Sequence, residues 1–152
     1  MKHPLTLVAV AVGAFAVILL AVTGRLPLGG AKEDIMSGRM LYAEHCASCH
    51  GANLEGQPDW KQPLPTGRLP APPHDATGHT WHHPDGVLYR ITREGTAAVV
   101  GGGYQSDMPG FGDILPDSDI RAVLDYIKST WPERERDYQK EISRREQKEG
   151  SS

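Results

Sequence analysis

Both cysteines of this chain fall in one pentapeptide, Cys46-Ala47-Ser48-Cys49-His50. Thiols at this spacing lie about one helical turn apart, so they can add to two vinyl groups on one edge of a porphyrin while the adjacent imidazole faces the iron. The chemistry expected of Cys46 and Cys49 is therefore covalent attachment of one c-type haem, with His50 as an axial ligand. Other uses of a Cys-x-x-Cys pair fit less well. A dithiol redox centre needs a surrounding alternation of strands and helices, which the sequence does not supply. A zinc site normally draws on a second ligand pair at similar spacing, and no further cysteine exists. A structural disulfide is the remaining alternative.

A haem held by one histidine has five ligands, so the sixth position decides the chemistry. Of the four methionines, Met1 is the initiator, and Met36 and Met40 precede the attachment motif on a helix that cannot reach the far face of the ring. Met108 lies far downstream in the irregular segment Asp107-Met108-Pro109-Gly110-Phe111. A thioether from that loop can approach the opposite face, where a soft sulfur favours ferrous iron and raises the reduction potential. The blander role for Met108 is packing on the ring edge without a bond. His74, His79, His82 and His83 form a rival set, suited to a bis-histidine haem or to copper. Trp81, among them, has an indole N–H that can donate to a haem propionate.

The elements that carry these residues are helical. A helix is predicted from about Asp34 to His45, capped by Asp34 and with Ile35, Leu41 and Tyr42 on its apolar side. Gly38 in its middle costs about 1 kcal/mol relative to alanine, so another backbone or ring is expected to pack close there. Six of the 17 residues from Gln57 to Pro73 are proline, which excludes helix and inner strand and leaves a fixed surface loop. Pro84 opens a short helix that Gly95 ends, and Gly101-Gly102-Gly103 reads as a turn because it lacks the residues of a phosphate-binding loop. Ile120, Val123, Leu124, Ile127 and Trp131 line one stripe of a helix that starts near Asp117 and stops before Pro132. The stripe needs a partner, and the helix bearing Gly38 is the natural one, with Tyr126 resting on the glycine. Beyond Pro132, opposite charges three apart (Glu133/Arg136, Asp137/Lys140, Glu141/Arg144) predict a charged, solvated helical tail over 133–152, with Trp131, Tyr138 and Ile142 as a narrow stripe that can dock.

The chain has 152 residues and a formal net charge of −3, which bounds it to one compact domain and excludes the basic excess of a nucleic-acid binder. From Leu5 to Val22 it is apolar apart from Thr6 and Gly13. Such a run enters or crosses a membrane, either as a retained N-terminal transmembrane anchor over residues 1–24 or as a cleaved export signal; its length favours the anchor. Residues 25–31 follow as a linker, and 32–132 as the haem-bearing domain. The basic residues Arg25, Lys32 and Arg39 oppose export by the positive-inside rule, but long C-terminal domains translocate largely regardless of charge.

Taken as a set, Cys46-Ala47-Ser48-Cys49-His50-Gly51, the preceding Leu41-Tyr42, the later Met108-Pro109-x-Phe111 and the closing Ile120-Arg121-x-Val123-Leu124-x-Tyr126-Ile127 resemble a class I cytochrome c of bacterial, membrane-anchored type, over roughly Ala31 to Trp131. The resemblance implies an all-α cytochrome c fold, with first and last helices crossing at Gly38 and Tyr126 around a covalent haem c. It implies thioethers from Cys46 and Cys49, axial His50 and Met108, and a domain in the periplasm, where the family receives its haem. The long proline and histidine segment from Pro58 to Pro84 departs from simpler members, and no acceptor for the His50 ring is carried over.

Three functions follow as expectations. The first is a one-electron carrier, not an enzyme, passing electrons between donor and acceptor redox proteins of a respiratory or related chain. Residues 31–132 hold eight basic and 13 acidic side chains, a net −5, with Asp107, Asp113, Asp117 and Asp119 near Met108, so a basic partner face is expected. The second is a haem enzyme or sensor with an open or displaceable sixth position. The third is a haem subunit of a membrane redox complex. Localisation is expected at the cytoplasmic membrane with the haem domain in the periplasm, or free in the periplasm after cleavage.

Overall fold

A computed structural model of the protein describes residues 30–151. The expected anchor over residues 1–24 and nearly all of the linker lie outside the described residues. Every regular element described is helical: α1 (Gly30–His45), α2 (Ala47–His50), a 3-10 turn (Thr80–His82), α3 (Asp85–Glu94), α4 (Thr96–Val100), α5 (Asp117–Ser129) and α6 (Glu133–Glu149).

The crossing of α1 and α5 is set by Gly38. A Cβ built there would overlap the Ala122 carbonyl of α5 and come within 3.1 Å of Tyr126 Cβ. Two helix backbones thus touch directly, a contact closed to any larger residue. Around the crossing, Tyr42, Val123, Ile127 and Trp131 are buried together with Leu54. Tyr42 lies against the Tyr126 ring, with centroids 5.5 Å apart. A second cluster, Leu88, Leu115, Ile120 and Leu124, packs α3 against α5. The apolar stripe expected of α5 therefore divides between two cores.

From Gly51 to His79 the chain has no helix, in keeping with its prolines. Its backbone is instead pinned residue by residue. Gly56 N–H donates to His50 O at 2.7 Å, Gln57 N–H to Ala71 O at 2.9 Å, and His74 N–H to Leu54 O at 2.8 Å. Trp131 Nε1–H donates to His74 O at 2.7 Å, which ties this loop to the end of α5.

The C-terminal helix is not the solvated tail expected from its charge. Helix α6 docks on the 3-10 turn and the N-terminus of α3 through polar residues, with Glu135, Gln139 and Ser143 each 4% exposed. The first amides of α3 need acceptors. Ser143 Oγ accepts from Asp85 N at 3.0 Å and Glu146 Oε2 from Gly86 N at 2.9 Å. Gln139 Nε2 donates to Asp85 Oδ1 at 2.9 Å and Ser143 Oγ at 3.0 Å. Within the proposed docking stripe, Trp131 is buried, whereas Tyr138 remains 47% exposed with its edge against Trp81 and His82. Replacing Gln139 by alanine is expected to remove the hydrogen bonds that this buried amide donates to Asp85 and Ser143 and to lower unfolding free energy by about 2 kcal/mol. Denaturant unfolding of the haem-loaded protein measures this, with visible absorption expected to stay unchanged.

Candidate haem site

The attachment motif sits where α1 ends. Cys46 O accepts both Cys49 N–H (3.1 Å) and His50 N–H (2.9 Å), so Cys46 to His50 form one tight turn with the two thiols on it. Both cysteines are free; Cys46 is half-buried and Cys49 exposed. Burial, with the neighbouring Cys49 adding to it, pushes the Cys46 thiol up to about 11. A dithiol redox centre needs the opposite, a thiol shifted down into the thiolate.

His50 is buried and tautomerically fixed. Its Nδ1 lies 2.9 Å from Pro72 O, which can only accept, so Nδ1 carries the proton and Nε2 keeps its lone pair. No described residue hydrogen-bonds Nε2. Burial lowers the His50 pKa, opposed by the bond to Pro72, and a neutral imidazole is the form that binds iron. The sequence does not single out this acceptor, since any carbonyl in the proline loop would read the same.

Met108 is half-buried on a loop locked to the junction of α3 and α4. Phe111 N–H donates to Thr92 O and Gly112 N–H to Arg93 O, each at 2.9 Å. Gly95, at φ +88°, and Gly110 let the two backbones close up: a Cβ on Gly95 would lie 2.8 Å from Gly110 N, and one on Gly110 2.7 Å from Arg93 O. Met108 N–H donates to Ser106 Oγ at 3.1 Å, and Met108 Sδ accepts from Thr96 Oγ1 at 3.2 Å. Two contacts connect this loop to the attachment side. Arg68, in the proline loop that carries Pro72, pairs with Asp107, and the Phe111 ring meets His45 at 6.3 Å.

The histidines do not gather at one centre, although His79 meets His83 edge-on with centroids 5.3 Å apart. His74 stacks on His50 with centroids 4.0 Å apart, and its Nδ1 lies 2.8 Å from Thr80 Oγ1. Burial, followed by the nearby His50 and His79, holds it well below the usual histidine range, so His74 packs as a neutral ring. His79 stacks on Trp60 at 5.2 Å and His82 on Trp81 at 3.7 Å. Among the described residues no group of three or more His, Cys, Asp or Glu is arranged to hold a metal ion. The Trp81 indole donates to Ala76 O at 3.3 Å, which occupies the hydrogen that a propionate contact would use.

These residues fit a porphyrin. One imidazole has its Nε2 free of protein partners, two unoxidised thiols share its turn, and one thioether is fixed on a separate loop. The segments leading to Pro72 and Met108 carry Leu64, Leu69, Val100 and Tyr104, each between 38% and 57% exposed, apolar surface that a haem can cover.

This combination of helices crossing at a glycine, a Cys-x-x-Cys-His turn and a methionine loop defines a class of protein that carries a covalent haem c. The family model described as Cytochrome c matches residues 35–131, and the chain belongs to that family as a class I c-type cytochrome. Its cofactor is haem c, for which Cys46 and Cys49 supply the attachment motif. The chain is also 30% identical over 95 residues to the FixP subunit of a cbb3-type cytochrome c oxidase from Azorhizobium caulinodans, a match covering 60% of this chain and 28% of that subunit. No solved structure matches. Haem-based electron transfer is the activity that the family and this relative support.

Proposed function

We propose that the chain is a one-electron carrier whose iron is held by His50 and Met108, with the haem domain in the periplasm and the Leu5 to Val22 segment as membrane anchor. Haem c supplies an iron that changes oxidation state by one electron. The observation that carries this reading is the anchoring of both candidate ligands by backbone contacts, His50 on Pro72 O and the Met108 loop on Thr92 and Arg93. Ligands fixed in this way stay in place between oxidation states, which keeps reorganisation small and leaves no position for substrate.

The acidic face beside Met108 is partly neutralised, because Arg68 pairs with Asp107 and Arg93 with Asp117. Docking of a basic partner through this face is accordingly weak and screened by salt. The similarity to FixP favours a second setting, in which the same haem relays electrons inside a membrane oxidase. Co-purification of oxidase subunits in mild detergent supports that setting; a lone chain fully active with soluble donors contradicts it.

Redox titration under carbon monoxide tests the carrier reading. The expected result is a reversible transition with a slope of about 59 mV per tenfold ratio, the value for one electron, and no carbon monoxide bound to the ferrous protein. Prompt binding would show an open sixth position and refute the reading.

A further inference from the structure

We infer that Thr96 is a positioning residue for the Met108 ligand and sets the balance between the two oxidation states through its hydroxyl. The inference rests on the His50/Met108 reading above and deepens it. Thr96 opens α4 directly after Gly95, the residue whose positive φ brings the α3–α4 junction against the Met108 loop. From there Thr96 Oγ1–H donates to Met108 Sδ at 3.2 Å.

A thioether sulfur has two lone pairs. The Thr96 hydroxyl takes one, so Met108 has the other to give to a metal. A donor on a ligand atom also withdraws electron density from it, and such outer contacts tune the metal as the ligand itself does. Sulfur polarised by Thr96 donates less to ferric iron, the form that most needs donation, so the ferrous form gains. The surrounding contacts hold Thr96 in place for this role: Phe111 N–H on Thr92 O and Gly112 N–H on Arg93 O fix the loop to the same junction that carries the hydroxyl.

The test uses the full-length, haem-loaded protein and the variants Thr96→Val, Thr96→Ser and Thr96→Ala. Valine keeps the shape and removes the hydroxyl, serine keeps the hydroxyl and removes the methyl, and alanine repeats the loss without β-branching if valine folds poorly. Expected for valine and alanine is a ferrous-to-ferric ratio lowered about threefold at fixed potential, about 30 mV at 59 mV per tenfold. Serine is expected to match the parent. Equal potentials in all four proteins would overturn the inference, as would a serine variant that shifts with valine, because the effect would then follow the methyl. The far-red methionine-to-iron absorption separates the two levels. If the parent lacks it, the His50/Met108 reading itself fails; if the parent and valine proteins both show it with one potential, only the role of Thr96 fails.

Discussion

Replacing Met108 by alanine is expected to lower the reduction potential by an amount on the order of 0.2 V, given how widely axial ligands move haem potentials. The far-red charge-transfer absorption should disappear, and the ferrous protein should gain affinity for carbon monoxide. The loop itself is expected to hold, because Phe111 and Gly112 donate to Thr92 and Arg93 through backbone amides that the substitution leaves alone. Met36 and Met40 provide the control. Both are more than 60% exposed on α1, and their alanine variants should keep the parent potential and spectrum. Spectroelectrochemistry of the three variants measures this directly. A Met108→Ala protein with an unaltered spectrum would remove Met108 from the iron.

The second large effect is expected at Gly38. In an exposed helix, glycine to alanine stabilises by about 1 kcal/mol. Here the sign should reverse, since the new methyl overlaps the Ala122 carbonyl, a backbone atom that moves only if α1 and α5 separate. Overpacking of this kind costs about 3 kcal/mol or more when the obstacle is rigid, a large share of the 5–15 kcal/mol typical of a domain. Tyr42, Val123 and Ile127 would loosen with the crossing. Thermal or denaturant unfolding of Gly38→Ala against the parent checks it, and a variant as stable as the parent would show that the helices do not touch at this point.

The sequence reveals some of these features and hides others for identifiable reasons. Gly38 and Tyr126 are legible because a costly glycine inside a helix signals a close approach, and the aromatic two turns into the α5 stripe supplies the neighbour. That the obstacle is the Ala122 carbonyl is not legible, since every residue has one. Pro72 is hidden in the same way: composition marks its segment as a fixed loop, but which carbonyl meets His50 depends on the path of the backbone. The short helix α4 escapes notice because five residues between two glycines carry no measurable period, and with it the contact from Thr96 to Met108 is lost. The tail misleads for a different reason. Charge and few apolar residues suggest a solvated helix, yet Gln139, Ser143 and Glu146 dock by satisfying the Asp85 and Gly86 amides and the Asp85 carboxylate, polar contacts that leave no apolar period in the sequence. The histidines look like a cluster in sequence, whereas stacking on His50, Trp60 and Trp81 turns their rings to separate tasks.

We propose a six-coordinate haem c closed by His50 and Met108. The absorption spectrum of the full-length ferric protein at neutral pH tests it most directly. A low-spin spectrum with the far-red methionine-to-iron charge-transfer band is expected, the band being lost on Met108→Ala. A high-spin spectrum without that band would contradict it.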